Sequence, residues 1–171
     1  DTATFDLEEA IFDVMDMLSP LAAQKHIDMA FYYADNVPKH VVGDALRFKQ
    51  ILTNLISNAI KFTPDGEIIV RARMEQDDIG QCLLHFSVQD SGIGLSGTDR
   101  KKLFECFSQG DASVTRQFGG TGLGLAISKQ LVHLMQGQIG FEDNQERAPT
   151  EKGSTFWFTA MFMVNEEDEY V

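Results

Sequence analysis

Five side chains between Arg47 and Thr63 have the types and the spacing to hold a charged ligand. On a helix, residues three and four apart share a face, and Arg47, Gln50, Asn54, Asn58 and Lys61 follow that spacing. Phe48, Ile51, Leu52, Leu55, Ile56, Ala59 and Ile60 fill most of the remaining circumference, which predicts a buried helix with one polar stripe. Asn is a poor helix former because its side chain competes for backbone hydrogen bonds. Two of them in mid-helix therefore carry a cost that a solvated face of Glu and Lys would avoid. Their amide oxygens are hard, uncharged ligands of the kind Mg²⁺ takes, and the cations at the two ends suit phosphate. A helix whose amides are satisfied within the core is the competing reading.

Three glycine-bearing stretches add to the stripe. Asp90-Ser-Gly-Ile-Gly94 follows an alternating segment. A carboxylate there accepts but cannot donate, an exocyclic amine is the donor that it wants, and the glycines let a flat ligand lie against backbone. Alone, this is equally a plain Asp-Gly turn. Gly119-Gly-Thr-Gly-Leu-Gly124 comes immediately before a helical pattern, where free N–H groups and the helix dipole favour phosphate. No Lys-Ser/Thr follows it and a polar loop precedes it, so neither a Walker A loop nor a dinucleotide fingerprint fits. A flexible hinge is the alternative. Lys152-Gly-Ser-Thr-Phe156 is a turn glycine before a core strand and reads as structural by itself.

The elements that must position these residues follow from pattern. Asp6 caps a helix beginning at Leu7, whose apolar face is Ile11, Val14, Met15, Leu18, Leu21 and Ala22, with a kink or restart expected at Ser19-Pro20. A short edge strand, Thr2 to Asp6, precedes it; Ile27 to Tyr33 and Val41 to Gly43 read as strands, and Asp44 caps the striped helix. Glu67 to Met74 and Cys82 to Asp90 form a hairpin across a polar loop, Glu75–Gln81. Arg100 to Phe107 reads as a short helix and Ser108 to Gly120 as a long mobile loop. Leu123 to Met135 is a helix ended by Gly137; Gln138 to Glu142 and Thr155 to Val164 are strands around an Asn144–Lys152 loop. Together these predict an α/β protein: a two-layer sandwich of a mostly antiparallel sheet with helices on one face.

A chain of 171 residues fits one domain with a sizeable core. The predicted domain is 1–164, and 165–171 is an acidic tail or linker. A formal charge of −12 argues against nucleic acid or an anionic membrane surface as a direct partner. No apolar run approaches membrane-spanning length, and no secretory signal pattern opens the chain. Cys82 and Cys106 lack the spacing of a zinc site, and reduced thiols fit a cytoplasmic location.

The stretches in this order resemble the catalytic ATP-binding domain of sensor histidine kinases, in the GHKL superfamily. The Asn-bearing helix is similar to the N box, DSGIG to the G1 box, Leu103–Phe107 to the F box, GGTGLGLAIS to the G2 box and KGSTFWF to the G3 region. The agreement is nearest to hybrid kinases, whose lid carries the FSQ.DAS…R.FGGTGLGLAIS form. Cys106 departs from the usual Pro of the F box. The resemblance implies a Bergerat fold holding ATP and Mg²⁺. Asn58 would be the metal ligand, Asn54 a supporting amide and Lys61 a phosphate contact. Asp90 would bind the adenine amine, with Gly92 and Gly94 flooring the base. Arg116 would touch phosphate from the lid; Gly120, Thr121, Gly122, Leu123 and Gly124 would present backbone to the phosphates, and Thr155 would join the adenine water network.

ATP-hydrolysing members carry Glu where this chain has Asn54, and an amide cannot act as that general base. The resemblance thus implies γ-phosphoryl transfer in two-component signalling. The acceptor is a His on a separate dimerisation hairpin, and a response-regulator receiver lies downstream. His26, His40, His85 and His133 lack the acidic residue that follows the family's acceptor, and read as surface or packing histidines. The chain starts near where such a hairpin would end, and a parent kinase could be anchored in the inner membrane. The alternatives are a non-catalytic, nucleotide-dependent interaction module and an ATPase switch.

Overall fold

The computed structural model describes residues 1–92, 120–144 and 153–164, and for 120–124 the backbone alone. In chain order the elements are β1 (Ala3–Asp6), α1 (Leu7–Gln24), β2 (Ile27–Tyr33), β3 (His40–Gly43), α2 (Ala45–Phe62), β4 (Gly66–Asp78), β5 (Gln81–Asp90), α3 (Gly120–Leu134), β6 (Ile139–Asp143) and β7 (Ser154–Met163). The strands form one seven-stranded sheet in the order β1-β3-β7-β5-β4-β2, with β6 also on β7. Every pairing is antiparallel except that of β2 with β4. The α/β sandwich expected from the pattern is the architecture observed.

Alternation decides what each strand shows to the helices. On β5, Cys82, Leu84, Phe86 and Val88 are buried in one row, and on β7 Phe156, Phe158, Ala160 and Phe162 are buried in the matching row. Phe48 of α2 fills the space between them, its ring centroid 4.9 Å from Phe86 and 6.0 Å from Phe158. The opposite row, including His85, Ser87 and Trp157, lines the outer face. None of the described helices is long and apolar enough to cross a membrane.

Both long helices start where an Asp was expected to cap them. Asp6 accepts from the Glu9 N–H at 2.9 Å, and Asp44 from the Arg47 N–H at 3.1 Å. At the other end of α1, His26 takes the left-handed conformation that closes a helix (φ 56°). From the same turn Lys25 Nζ donates to the main-chain carbonyls of Ile60 and Lys61, the last turn of α2.

Three boundaries differ from expectation. α1 is not restarted at Pro20, which stays inside one helix on its exposed side. The polar segment Glu75–Asp78 continues β4, and the connection shrinks to Ile79-Gly80, with Gly80 at φ 79°. A ladder needs backbone partners, not apolar side chains; the register shifts between Met74 and Gln76 as the ribbon leaves the core. α3 begins at Gly120, so the glycines expected before the helix form its first turns. The expected helix at Arg100–Phe107, Cys106 and the 165–171 tail lie outside the described residues.

Candidate nucleotide-binding site

The site is built at the end of β5. Asp90 continues the buried row of Cys82, Leu84, Phe86 and Val88, so alternation carries a carboxylate to the helix-facing side, 1% exposed. Its Oδ1 accepts from the Gly92 N–H at 3.1 Å and the Ser154 N–H at 3.2 Å. Oδ2 is buried with no hydrogen-bond partner. Burial pushes the carboxyl up to about 6, and the two N–H groups and the nearby Thr63 hydroxyl pull the other way. Thr63 Oγ1 lies beside the carboxyl, close enough to favour its charge, without a hydrogen bond of ordinary geometry.

Two close approaches hold this corner. Gly153, at φ 97°, packs so tightly on Asp90 that a Cβ would fall 2.0 Å from the Asp90 carbonyl oxygen. A Cβ on Gly92 would fall 2.6 Å from the Phe62 carbonyl, which brings the end of β5 against the end of α2. Along α2 the stripe changes character. Arg47 is tied to Asp44 at 3.2 Å, and Gln50 is exposed. Asn54 donates from Nδ2 to Ser128 Oγ of α3 at 3.1 Å. Asn58 is 5% exposed, with its Nδ2 unpartnered. Lys61 sits exposed in the last turn.

α3 packs on α2, and Gly120, Thr121, Gly122, Leu123 and Gly124 form its first turns, where an α-helix leaves its first four main-chain N–H groups without a partner within the helix. Asn58 Nδ2, Thr63 Oγ1 and Asp90 Oδ2 are the buried side-chain polar atoms left unpartnered among the described residues, and they come from the end of α2 and the end of β5. Native interiors rarely leave such atoms unpaired. A ligand with an amine donor for Asp90 and acceptors for an amide and a hydroxyl fits them, as a purine base does. An amide oxygen from Asn58 suits a cation that takes the rest of its shell from phosphate and water, as Mg²⁺ does. No group of three His, Cys, Asp or Glu able to hold a metal occurs among the described residues.

Not every candidate joins this corner. Thr155 pairs in register with Gln89 and lies on the outer face, where its hydroxyl donates to Asn144 Oδ1 at 2.8 Å. Ser154, one residue earlier, shares the inner row with Phe156 and bonds Asp90 through its main chain. Counting back by two from the aromatic residues would have found it. Asn144 and Ser128 carried no signal, one read as a loop residue and the other as part of a helical pattern. Gly94 and Arg116 lie outside the described residues. A cavity of about 420 Å³ lies elsewhere, on the outer face between Arg71, Arg73, His85, Gln89 and Trp157. His85 there stacks on Trp157 with ring centroids 5.5 Å apart, a packing role.

Known proteins resemble this chain in sequence and in fold. Residues 43–162 match the family described as histidine kinase-, DNA gyrase B-, and HSP90-like ATPase. The chain is 46% identical over 159 residues to the sensor histidine kinase GacS of Pseudomonas protegens, covering 93% of this chain and 17% of that protein. It is 38% identical over 154 residues to the signal transduction histidine-protein kinase BarA of Escherichia coli, covering 90% and 16%. It thus spans about a sixth of the length of these relatives. Among solved structures, full-length ShkA in complex with AMPPNP superposes with a TM-score of 0.73 at 32% identity, over 96% of this chain and 32% of that one. The catalytic domain of histidine kinase ThkA, nucleotide-free, gives 0.66 at 26% identity, over 94% and 95%. The Asn-striped helix, the carboxylate at the end of β5 and the glycine-led helix are thus the parts of a chain that belongs to the histidine kinase-, DNA gyrase B- and HSP90-like ATPase family.

Proposed function

We propose that this chain binds Mg-ATP between α2 and the glycine-led start of α3. It would then pass the γ-phosphoryl group to a His on a separate dimerisation hairpin in two-component signalling, with a receiver domain downstream. The observation that carries the reading is the unpartnered Oδ2 of Asp90 at the end of a buried row, a lone acceptor placed for the adenine amine. Gly92 lets the end of β5 close on the end of α2 beside the carboxylate, and in the resemblance Gly94 leaves room for the base. The first-turn N–H groups of Gly120 to Gly124 meet phosphate, with Lys61 and Arg116 as the local cations that let an acidic chain hold a polyanion.

Asn58 is the residue that would hold Mg²⁺, which when bound neutralises phosphate charge and aligns the leaving group. Asn54 is the residue that separates kinase from hydrolase. Its amide is engaged with Ser128 and has no basicity to activate water. Water therefore stays inert until the acceptor arrives, when the bond from the γ-phosphorus to its bridging oxygen breaks and one to the imidazole nitrogen forms. This setting is a cytoplasmic one, with no nucleic acid and no direct membrane contact by the domain.

The test is an ATP titration with and without Mg²⁺, followed by labelled-phosphate transfer to a His-bearing hairpin from a hybrid kinase. Asn58→Ala is expected to abolish transfer through lost metal placement. Binding without transfer in the wild type would favour a nucleotide-dependent interaction module. Turnover without acceptor would favour an ATPase.

A further inference from the structure

Asp90 offers three acceptor atoms, and the structure accounts for each. Oδ1 is filled by two main-chain N–H groups, and Oδ2 is left open. The main-chain carbonyl is taken by a side chain from another strand connection: Asn144 donates from Nδ2 to Asp90 O at 2.9 Å. Asn144 is 1% exposed and is itself fixed on two sides. Thr155 Oγ1 donates to its Oδ1 at 2.8 Å, and its own N–H donates to Gly153 O at 3.0 Å. The orientation of the amide is chemically determined, because reversing it would set two carbonyl oxygens against each other.

We infer that Asn144 is the positioning residue of the base-reading carboxylate, holding the Asp90 main chain so that Oδ2 is the acceptor left to choose the ligand. The inference rests on the reading above, in which Asp90 meets adenine. The brace ties together the ends of β5, β6 and β7 at one point. Through Thr155 it carries the register of the outer face into the inner pocket. Specificity depends on where one oxygen points. Adenine offers a donor at the position where guanine offers an acceptor, so a displaced carboxylate loses the distinction before it loses the phosphates.

The experiment compares ATP with GTP by calorimetry on the whole chain, for the wild type, Asp90→Asn, Asn144→Ala and Thr155→Val, with melting temperatures alongside. Asn144→Ala is expected to lose about tenfold of the preference for ATP, the worth of one good buried hydrogen bond, with GTP affinity nearly unchanged. Thr155→Val, which frees the amide without removing it, is expected to lose about threefold. The acid limb of ATP binding should shift in both. A lowered melting temperature with the ATP-to-GTP ratio and the acid limb intact would overturn the role of Asn144. If the wild type shows no preference, or Asp90→Asn keeps it, the base-reading assignment itself falls and takes this one with it. Should Asn144→Ala fail to fold, Thr155→Val decides alone.

Discussion

The helices α1 and α2 make a controlled comparison. Each is eighteen residues long, and each is capped by an Asp that accepts from the N–H three residues on. α1 buries Leu7, Ala10, Ile11, Val14, Leu18 and Ala22, all apolar. α2 buries seven apolar residues and Asn58, whose amide nitrogen has no partner. α1 in turn leaves Phe12, Met17 and Leu21 exposed. One helix buries apolar side chains only; the other carries a local penalty one turn before its end closes on the end of β5. A fold keeps such an atom where something else satisfies it.

The sharpest way to break the comparison is to damage the two helices in turn. Ile11→Ala should cost about 2–5 kcal/mol in denaturant unfolding, the range for truncating a buried aliphatic side chain. It should leave the nucleotide affinity of the folded fraction unchanged. Asn58→Leu should do the reverse, leaving stability unchanged or raising it by about 1–3 kcal/mol as an unpaired donor leaves the core, while Mg-dependent ATP binding is lost. A clear loss of stability in that variant would return Asn58 to the ordinary core.

Acidity separates the helix end from the strand end of the site. Asp90 is raised to about 6 in the folded chain, against an ordinary 3.8, chiefly by burial. An adenine amine needs the ionised form, so ATP affinity should fall as pH drops through about 6, approaching tenfold per unit. The nucleotide-free protein should respond with the opposite sign. Between 3.8 and about 6 the folded state binds more protons at Asp90 than the unfolded state. This group's contribution therefore grows as pH falls and is lost as pH rises through about 6. An ATP affinity flat across that window would remove Asp90 from the pocket. The smallest effects belong to the caps: Asp6→Ala and Asp44→Ala should each cost about 0.5–2 kcal/mol of stability. Only Asp44→Ala, at the head of the striped helix, should also weaken nucleotide binding.

Much of this was legible before any coordinates, because it depends on local rules. Both caps, the strand Ile27–Tyr33 and the stripe on α2 follow from one residue's propensity or one period, and the structure has them. Polarity alone predicts a loop at the hairpin tip, whereas Gln76–Asp78 are held by backbone pairing with β5. Asp90 was singled out by its glycines, yet its setting depends on Ser154 and Asn144, which are distant in sequence and chemically bland there. Thr155 and Ser154 are neighbours on opposite sheet faces, a distinction that the two-residue period carried back from Phe156 makes and the register of Thr155 with Gln89 bears out. Pattern names the carboxylate; Ser154 and Asn144, which help to hold it, come from β7 and the end of β6.

The Lys25 ammonium resting on the carbonyls of Ile60 and Lys61 ties the tail of the first helix to the tail of the second. The two rods are thereby latched at the end nearest Thr63, and nearer their heads the Lys49 ammonium reaches the Asp13 carboxylate at 3.3 Å. A strain on α1 would therefore pass to α2 as one body, and through it to the end that carries Asn58 and Thr63.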